Sequence, residues 1–403
     1  MEQRHQIHVI GAGLGGLAAA ALVARAGHPV VVHETRNRLG GRAATDERDG
    51  FRFDQGPHAL YQGGPAMSVL HELGIRPRGV RPHVGGVTVH GGQVHAAPAG
   101  ARSLLQTSLL GVRGKLELGR VLGTLHRQRA SLHAHRTVSE WIEGTVRDPT
   151  ARETLGMFVR LTTFGNHPDE MSADVAVEMV QRGIGDGVLY LEDGWQQLVD
   201  GLAEVAWEAG VRFEVGEPVR ELPDAAAVIV AAGGPDNVGA LVGHRWELGP
   251  AAEVVCLDLG LRGEPPHTIA LGVDVPMYGS RHSAPAGRAP AGHSVFALAE
   301  YLAAGVEPDR ERLATYARTV GISDDVIVTQ RYLHRMVACT ALPTAAAGGL
   351  AGRPGVEVPG RPGVFVAGDW VGSEGHLTDA VMASARAAAE AAVHHVDRLP
   401  VVG

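Results

Sequence analysis

Apolar and polar positions alternate along this chain in blocks that mix strand and helix periods. Ile7–Ile10 is a short apolar run between polar residues and predicts a strand. Leu14–Ala26 contains only apolar residues, glycine and arginine, and predicts a helix that Gly27 stops, with Pro29 as a second breaker. Val30–His33 predicts the next strand, with Glu34 at its end, and Phe51–Asp54 another. Pro65–Leu73 reads as a helix closed by Gly74, and residues 80–100 as short strands and turns. Leu104–His133, Val138–Ile142, Ala151–Thr163 and Ser172–Arg182 have helical character, with breaks at Asp148–Pro149 and His167–Pro168. A helix running to Ala209 follows Asp193–Gly194–Trp195, then a strand Val211–Val215 and a buried strand Ala226–Ala232. Glu253–Leu259 and Val326–Tyr332 are expected to be strands, Ser294–Ala304 a helix and Arg281–Gly292 a surface connection. Val364–Ala367 predicts a last strand, and Asp379–Ala380–Val381 opens a last helix through Ala383–His395.

The turn between the first strand and the first helix holds Gly11, Gly13 and Gly16, with Leu14 and Gly15 in the helix's opening turn. The first glycine permits the tight turn, the second lets backbone approach a pyrophosphate, and the third lets helix pack on strand. Free N–H groups and the helix dipole then face the phosphates. Glu34 follows at the distance where an acid accepts both hydroxyls of an adenosine ribose. Together these features imply a dinucleotide containing ADP-ribose, either FAD or NAD.

Composition narrows the class. At 403 residues the chain has room for two domains, and 45% hydrophobic with 20% charged residues is ordinary for a globular protein. A net charge of −8 argues against general nucleic-acid affinity. Cys256 and Cys339 belong to no C-x-x-C or metal cluster, so no metal is expected and both read as buried thiols in a reducing, cytoplasmic setting. The first strand begins too early for a signal peptide to precede it, and no apolar run is long enough to span a bilayer. Peripheral membrane contact stays open, as does the oligomeric state.

From Glu34 the chain continues Thr35–Arg36, then Gly40–Gly41–Arg42. This stretch resembles the signature of the superfamily of FAD-dependent amine oxidases, protoporphyrinogen oxidases and phytoene desaturases. The resemblance implies FAD rather than NAD, with Glu34, Thr35, Arg36, Gly41 and Arg42 among its contacts. Gln55–Gly56–Pro57–His58 is similar to the family's turn beside the flavin ring. The segment from Asp193 to Leu222 is similar to another family stretch, in which the backbone of Val219 would meet adenine. Gly368–Asp369 matches the closing strand and its acid, expected at the ribityl or pyrophosphate region. Asp379, Ala380 and Val381 match the helix N-terminus aimed at the flavin pyrimidine, although Asp379 also suits a plain N-cap role.

The implied fold is α/β: a discontinuous Rossmann-like FAD domain (1–75, 189–240 and 350–403) with an inserted α+β substrate domain (76–188 and 241–349). The implied activity is hydride transfer from a largely apolar small molecule to flavin N5, in the manner of the desaturase-like branch. Three departures favour that branch over the amine oxidases. Lys115 is the sole lysine and lies far from the strand where many amine oxidases carry one. Aromatic content is 4%, leaving Trp370 and Tyr61 as the available walls of a substrate cage, with His58 as the titratable candidate near the ring. No cysteine lies near residues 370–380 to attach the flavin. The alternatives are a flavin amine oxidase, a redox-neutral flavin-dependent isomerase and, furthest off, a non-enzymatic binding protein of the same fold.

Overall fold

The computed structural model describes residues 6–82, 85–283 and 286–400. Residues 83–84 of the expected strand-and-turn stretch, 284–285 of the expected surface connection and both extreme termini lie outside the described residues.

A five-stranded sheet is assembled from pieces far apart in sequence. Its order is Arg212–Val215, Val30–Glu34, Ile7–Ile10, Ala227–Val230, Val364–Val366. Every neighbouring pair is parallel. The inner strands are short runs rich in Val and Ile and largely buried on both faces, the pattern that a parallel sheet covered by helices demands, with His8, His33 and Glu34 as the partly exposed positions. On one face lie the helices Leu14–Arg25, Pro65–Glu72, Gln196–Glu208 and Thr378–Asp397. The first of these is alanine-rich and buried along nearly its whole length, which lets its neighbours approach closely. On the other face Val228, Val230 and Val366 pack with Val238, Val242 and Trp370.

A seven-stranded mixed sheet forms the second layer. Its order is Ile327–Cys339, Ala252–Arg262, His293–Tyr301, Met277–Arg281, Ile269–Gly272, Val87–His90, Gln93–Ala96. The helices Val112–Leu125, Val138–Thr145, Pro149–Thr163 and Ala173–Gly185 share a core with one face of it, and Arg310–Thr319 shares a core with the other.

The expected helix over Ser294–Ala304 is a correction. His293–Tyr301 is a central strand, buried at every position after the first, between Ala252–Arg262 and Met277–Arg281. Its Ala, Leu and Glu favour a helix locally, but a strand buried on both faces loses the alternation that would reveal it. The segment around Arg281–Gly292 is likewise more than a surface connection. Arg288 is 3% exposed and pairs with the equally buried Asp54 at 2.8 Å, pinning that segment to the strand Phe51–Asp54.

Candidate active site and cofactor cradle

The cleft starts at the first strand's carboxyl end. Gly11 adopts φ +101°, and a side chain there would meet the Ala231 carbonyl oxygen at 2.7 Å. Gly16 is held tighter still, since a Cβ would fall 1.8 Å from the Gly11 carbonyl oxygen. Gly13 is the opposite case: a Cβ there would meet nothing within 4 Å and would project into open space. Gly13 is also the N-cap of the helix and caps it with no side chain, so the first-turn N–H groups remain available to an anion.

Glu34 is already oriented. Its Oε2 accepts the Ala12 N–H at 2.8 Å and its Oε1 accepts the Arg36 N–H at 2.9 Å. A carboxylate so held keeps further acceptor positions for ribose hydroxyls. The second glycine turn is locked onto the first, with the Gly40 N–H donating to the Ala12 carbonyl oxygen at 2.8 Å. Arg42 leaves this turn and donates to Asp369 Oδ2 at 2.9 Å and to the Val337 and Ala338 carbonyl oxygens at 3.3 and 3.2 Å. Its side chain stays 41% exposed while that of Asp369 is 1% exposed, so the guanidinium faces the cleft and the carboxylate anchors it. Thr340 donates to Asp369 through both its hydroxyl and its N–H. Buried Arg353 braces the same turn by donating to the Asp369 and Gly375 carbonyl oxygens at 2.9 and 2.7 Å.

These groups border one cavity of about 710 Å³. Gly11, Gly13, Leu14, Gly15, Glu34 and Thr35 line it, as do Arg36, Gly41, Arg42 and Val219. Gly56, Pro57, His58, Gly368, Asp369, Asp379 and Val381 line it too. Gly16 and Ala380 are expected contacts that do not line it. Gly16 seals the turn beneath, and Ala380 is fully buried in the helix it opens.

His58 is held by its Nδ1, which donates to the Gly56 carbonyl oxygen at 2.8 Å, and its ring lies 4.8 Å from that of Trp195. Burial pushes the imidazole below its usual range against the pull of Asp54, which favours the neutral ring. Tyr61 also lines the cavity and donates its hydroxyl to the Thr162 carbonyl oxygen at 3.0 Å. Asp379 accepts the Ala66 N–H at 3.0 Å and pairs with Arg182 at 3.2 Å. Burial pushes its carboxyl up to about 6, against those two partners. The alternative N-cap role does not hold: Leu377, at φ +53°, is the N-cap, and Asp379 reaches across to the neighbouring helix instead.

Trp370 is the other correction. It is fully buried, 4.7 Å from the Trp246 ring in the core behind the parallel sheet, and forms no wall of the cavity. The apolar residues that line the cavity and pack in one cluster with Tyr61 are Phe164, Val254, Met336 and Leu377. None of these was marked in the sequence, because they come from four separate elements and carry no motif. Thr340 and Arg353 were missed for the same reason, and Asp54, which ends the strand before the Gly56–Pro57 turn, was read only as strand. Lys115 sits on a partly exposed helix face, donating to the Leu105 carbonyl oxygen at 2.8 Å, and does not reach the cavity. Cys256 and Cys339 are buried free thiols whose burial raises their pKa, and no metal-binding cluster occurs among the described residues.

The donor set fits FAD on its geometry: an open helix N-terminus, an oriented acid one strand away, an arginine between the two glycine turns and the tail strand, and space continuing past them to Tyr61. The sequence is similar over 70 residues to a 4,4'-diapolycopen-4-al dehydrogenase of Metabacillus indicus, at 40% identity. It is 43% identical over 70 residues to a 4,4'-diapophytoene desaturase of Staphylococcus haemolyticus. Each alignment covers 17% of this chain and 14% of the relative, so the likeness to these proteins is confined to a short part of their length. The fold is similar nearly end to end to cyclohexylamine oxidase from Brevibacterium oxydans, at TM-score 0.73 and 17% identity, covering 98% of this chain and 100% of that one. The sequence model for flavin containing amine oxidoreductases matches residues 14–256, more than half of the chain. With that match joined to a cradle shaped for FAD, the chain belongs to the flavin-containing amine oxidoreductase family.

Proposed function

We propose that the protein is an FAD-dependent oxidoreductase that dehydrogenates a largely apolar small molecule. The observation that carries this reading is the wall of the cavity beyond the cradle, where Tyr61, Phe164, Val254, Met336 and Leu377 meet with no lysine among them. A hydrophobic wall with few convergent polar groups selects an apolar ligand and excludes water. Bound FAD supplies the hydride acceptor. Around it, Glu34 would hold the adenosine ribose, Arg42 would neutralise the pyrophosphate while Asp369 fixes its direction, and Tyr61 and Met336 would orient the substrate's carbon skeleton. Neutral His58 keeps its Nδ1 proton on the Gly56 carbonyl oxygen, which leaves Nε2 as an acceptor for a proton released nearby.

The reading assigns the parallel sheet and its helices to a cofactor domain (1–75, 189–240 and 350–403). The seven-stranded sheet and the helical block (76–188 and 241–349) make the substrate domain, and the protein acts in the cytoplasm. Anaerobic mixing of the purified yellow protein with apolar alkenes and with primary amines tests the reaction. Bleaching of the flavin absorbance by the first group and not the second is expected. Bleaching by amines alone would assign the protein to the amine oxidases instead.

A further inference from the structure

The helical block carries a surface that cofactor and substrate leave unused. Residues 101–136 include seven of the chain's 36 Lys and Arg residues and one acid, Glu117, on a protein whose net charge is −8. The Val112–Leu125 helix buries Gly114, Leu118, Val121 and Leu125. Val112 and Leu116 stand one turn apart on the opposite face, 78% and 70% exposed. Arg120 is exposed a further turn on. Lys115, donating to the Leu105 carbonyl oxygen at 2.8 Å, ties this helix to the end of the Ala101–Gln106 helix. Leu105 is 73% exposed there, with Arg102 exposed one turn before it.

Large aliphatic side chains exposed to this degree and interleaved with arginines need a partner that rewards both. Nucleic-acid phosphates would match the arginines but gain nothing from Leu105, Val112 and Leu116. A bilayer interface takes both, with aliphatic groups entering the acyl boundary and guanidinium groups meeting anionic headgroups. No helix among the described residues is long and apolar enough to cross a membrane, so such contact would be peripheral. We propose that the Ala101–Gln106 and Val112–Leu125 helices form a docking surface for an anionic lipid bilayer, with Leu105, Val112 and Leu116 inserted and Arg102 and Arg120 on the lipid phosphates.

The test is sedimentation of the FAD-loaded full chain, without substrate, with vesicles of phosphatidylglycerol and phosphatidylcholine in equal parts and with phosphatidylcholine vesicles alone. The omission of substrate makes the outcome independent of the proposed reaction. Binding is expected to the anionic vesicles only, and to fade as salt screens the arginines. Arg102→Gln and Arg120→Gln should each weaken it about fivefold. Leu105→Ser combined with Leu116→Ser should abolish it with flavin absorbance unchanged. Failure to sediment with anionic vesicles, equal binding to neutral ones, or binding indifferent to these substitutions would overturn the proposal. So would a dimer on size exclusion that Leu116→Ser dissolves, because the face would then join two copies of the chain.

Discussion

Arg42 donates to the carboxylate of Asp369 at 2.9 Å across 327 positions of sequence. This contact joins the turn that follows the head of the chain to the strand end near its tail, at the edge of the cavity. The carboxylate is buried and the guanidinium is partly open, so the pair presents positive charge where a pyrophosphate would lie. Arg42→Met removes that charge. A charge-assisted bond contributes about 1.5–3 kcal/mol, so FAD affinity should fall roughly tenfold to a hundredfold. Titration of cofactor-free protein with FAD, followed by flavin fluorescence, measures it.

Glu34→Arg should prevent FAD retention while leaving the fold intact. The position is only half-buried, and the substitution replaces the proposed acceptor of ribose hydroxyls with a cation. Flavin content after gel filtration, beside an unchanged far-ultraviolet circular dichroism spectrum, checks both halves of the expectation.

Gly13 and Gly16 should separate binding from folding. Gly16→Ala places a methyl 1.8 Å from the Gly11 carbonyl oxygen and should destabilise the cofactor-free protein by about 3 kcal/mol in urea denaturation. Gly13→Ala meets no protein atom within 4 Å. It should leave the urea midpoint unchanged and weaken FAD binding by at least about tenfold, because its methyl occupies the cradle.

The Asp54–Arg288 pair is 3% exposed on both sides. Asp54 also accepts the Trp195 N–H at 2.9 Å and the Thr45 hydroxyl at 2.6 Å. Burial opposes its ionisation, yet Arg288 holds its carboxyl below the usual range. Arg288→Met strands that carboxylate and should cost about 3–5 kcal/mol of stability in urea denaturation. The double variant Asp54→Leu/Arg288→Met should recover part of the loss.

Asp379 gives a pH dependence of known sign. Its carboxyl titrates at about 6 in the fold against an ordinary value of 3.8, so the folded state binds the proton more tightly. Stability is therefore lost as pH rises from about 4 through 6 and stays lower above it. Asp379→Asn keeps an acceptor for the Ala66 N–H and removes the buried charge. Thermal melts of cofactor-free protein across that window should show a shallower fall with pH. The difference at pH 7 should be on the order of 2 kcal/mol.

The glycine turn and the acid that follows it were legible because their structural demands are local. Gly11, Gly13 and Gly16 lie within one strand–turn–helix unit, and Glu34 ends the strand paired to it. Neighbours along the chain misled where a turn sends consecutive side chains to opposite sides. Asp369 borders the cavity, whereas Trp370 enters the core behind the sheet. Arg353, Thr340 and the Asp54–Arg288 pair were illegible because each works on a residue distant in sequence, and nothing near it in the chain marks the partner.

Local steric and hydrogen-bonding demands operate within a few residues, so the order of residues alone determined the dinucleotide turn, the acid that follows it and most of the helices and strands that frame them. Burial and pairing across the molecule are settled only when the chain closes on itself. That closure made His293–Tyr301 a central strand despite its helix-forming residues, turned Asp379 toward Ala66 and Arg182, and gathered Tyr61, Phe164, Val254, Met336 and Leu377 into one apolar wall.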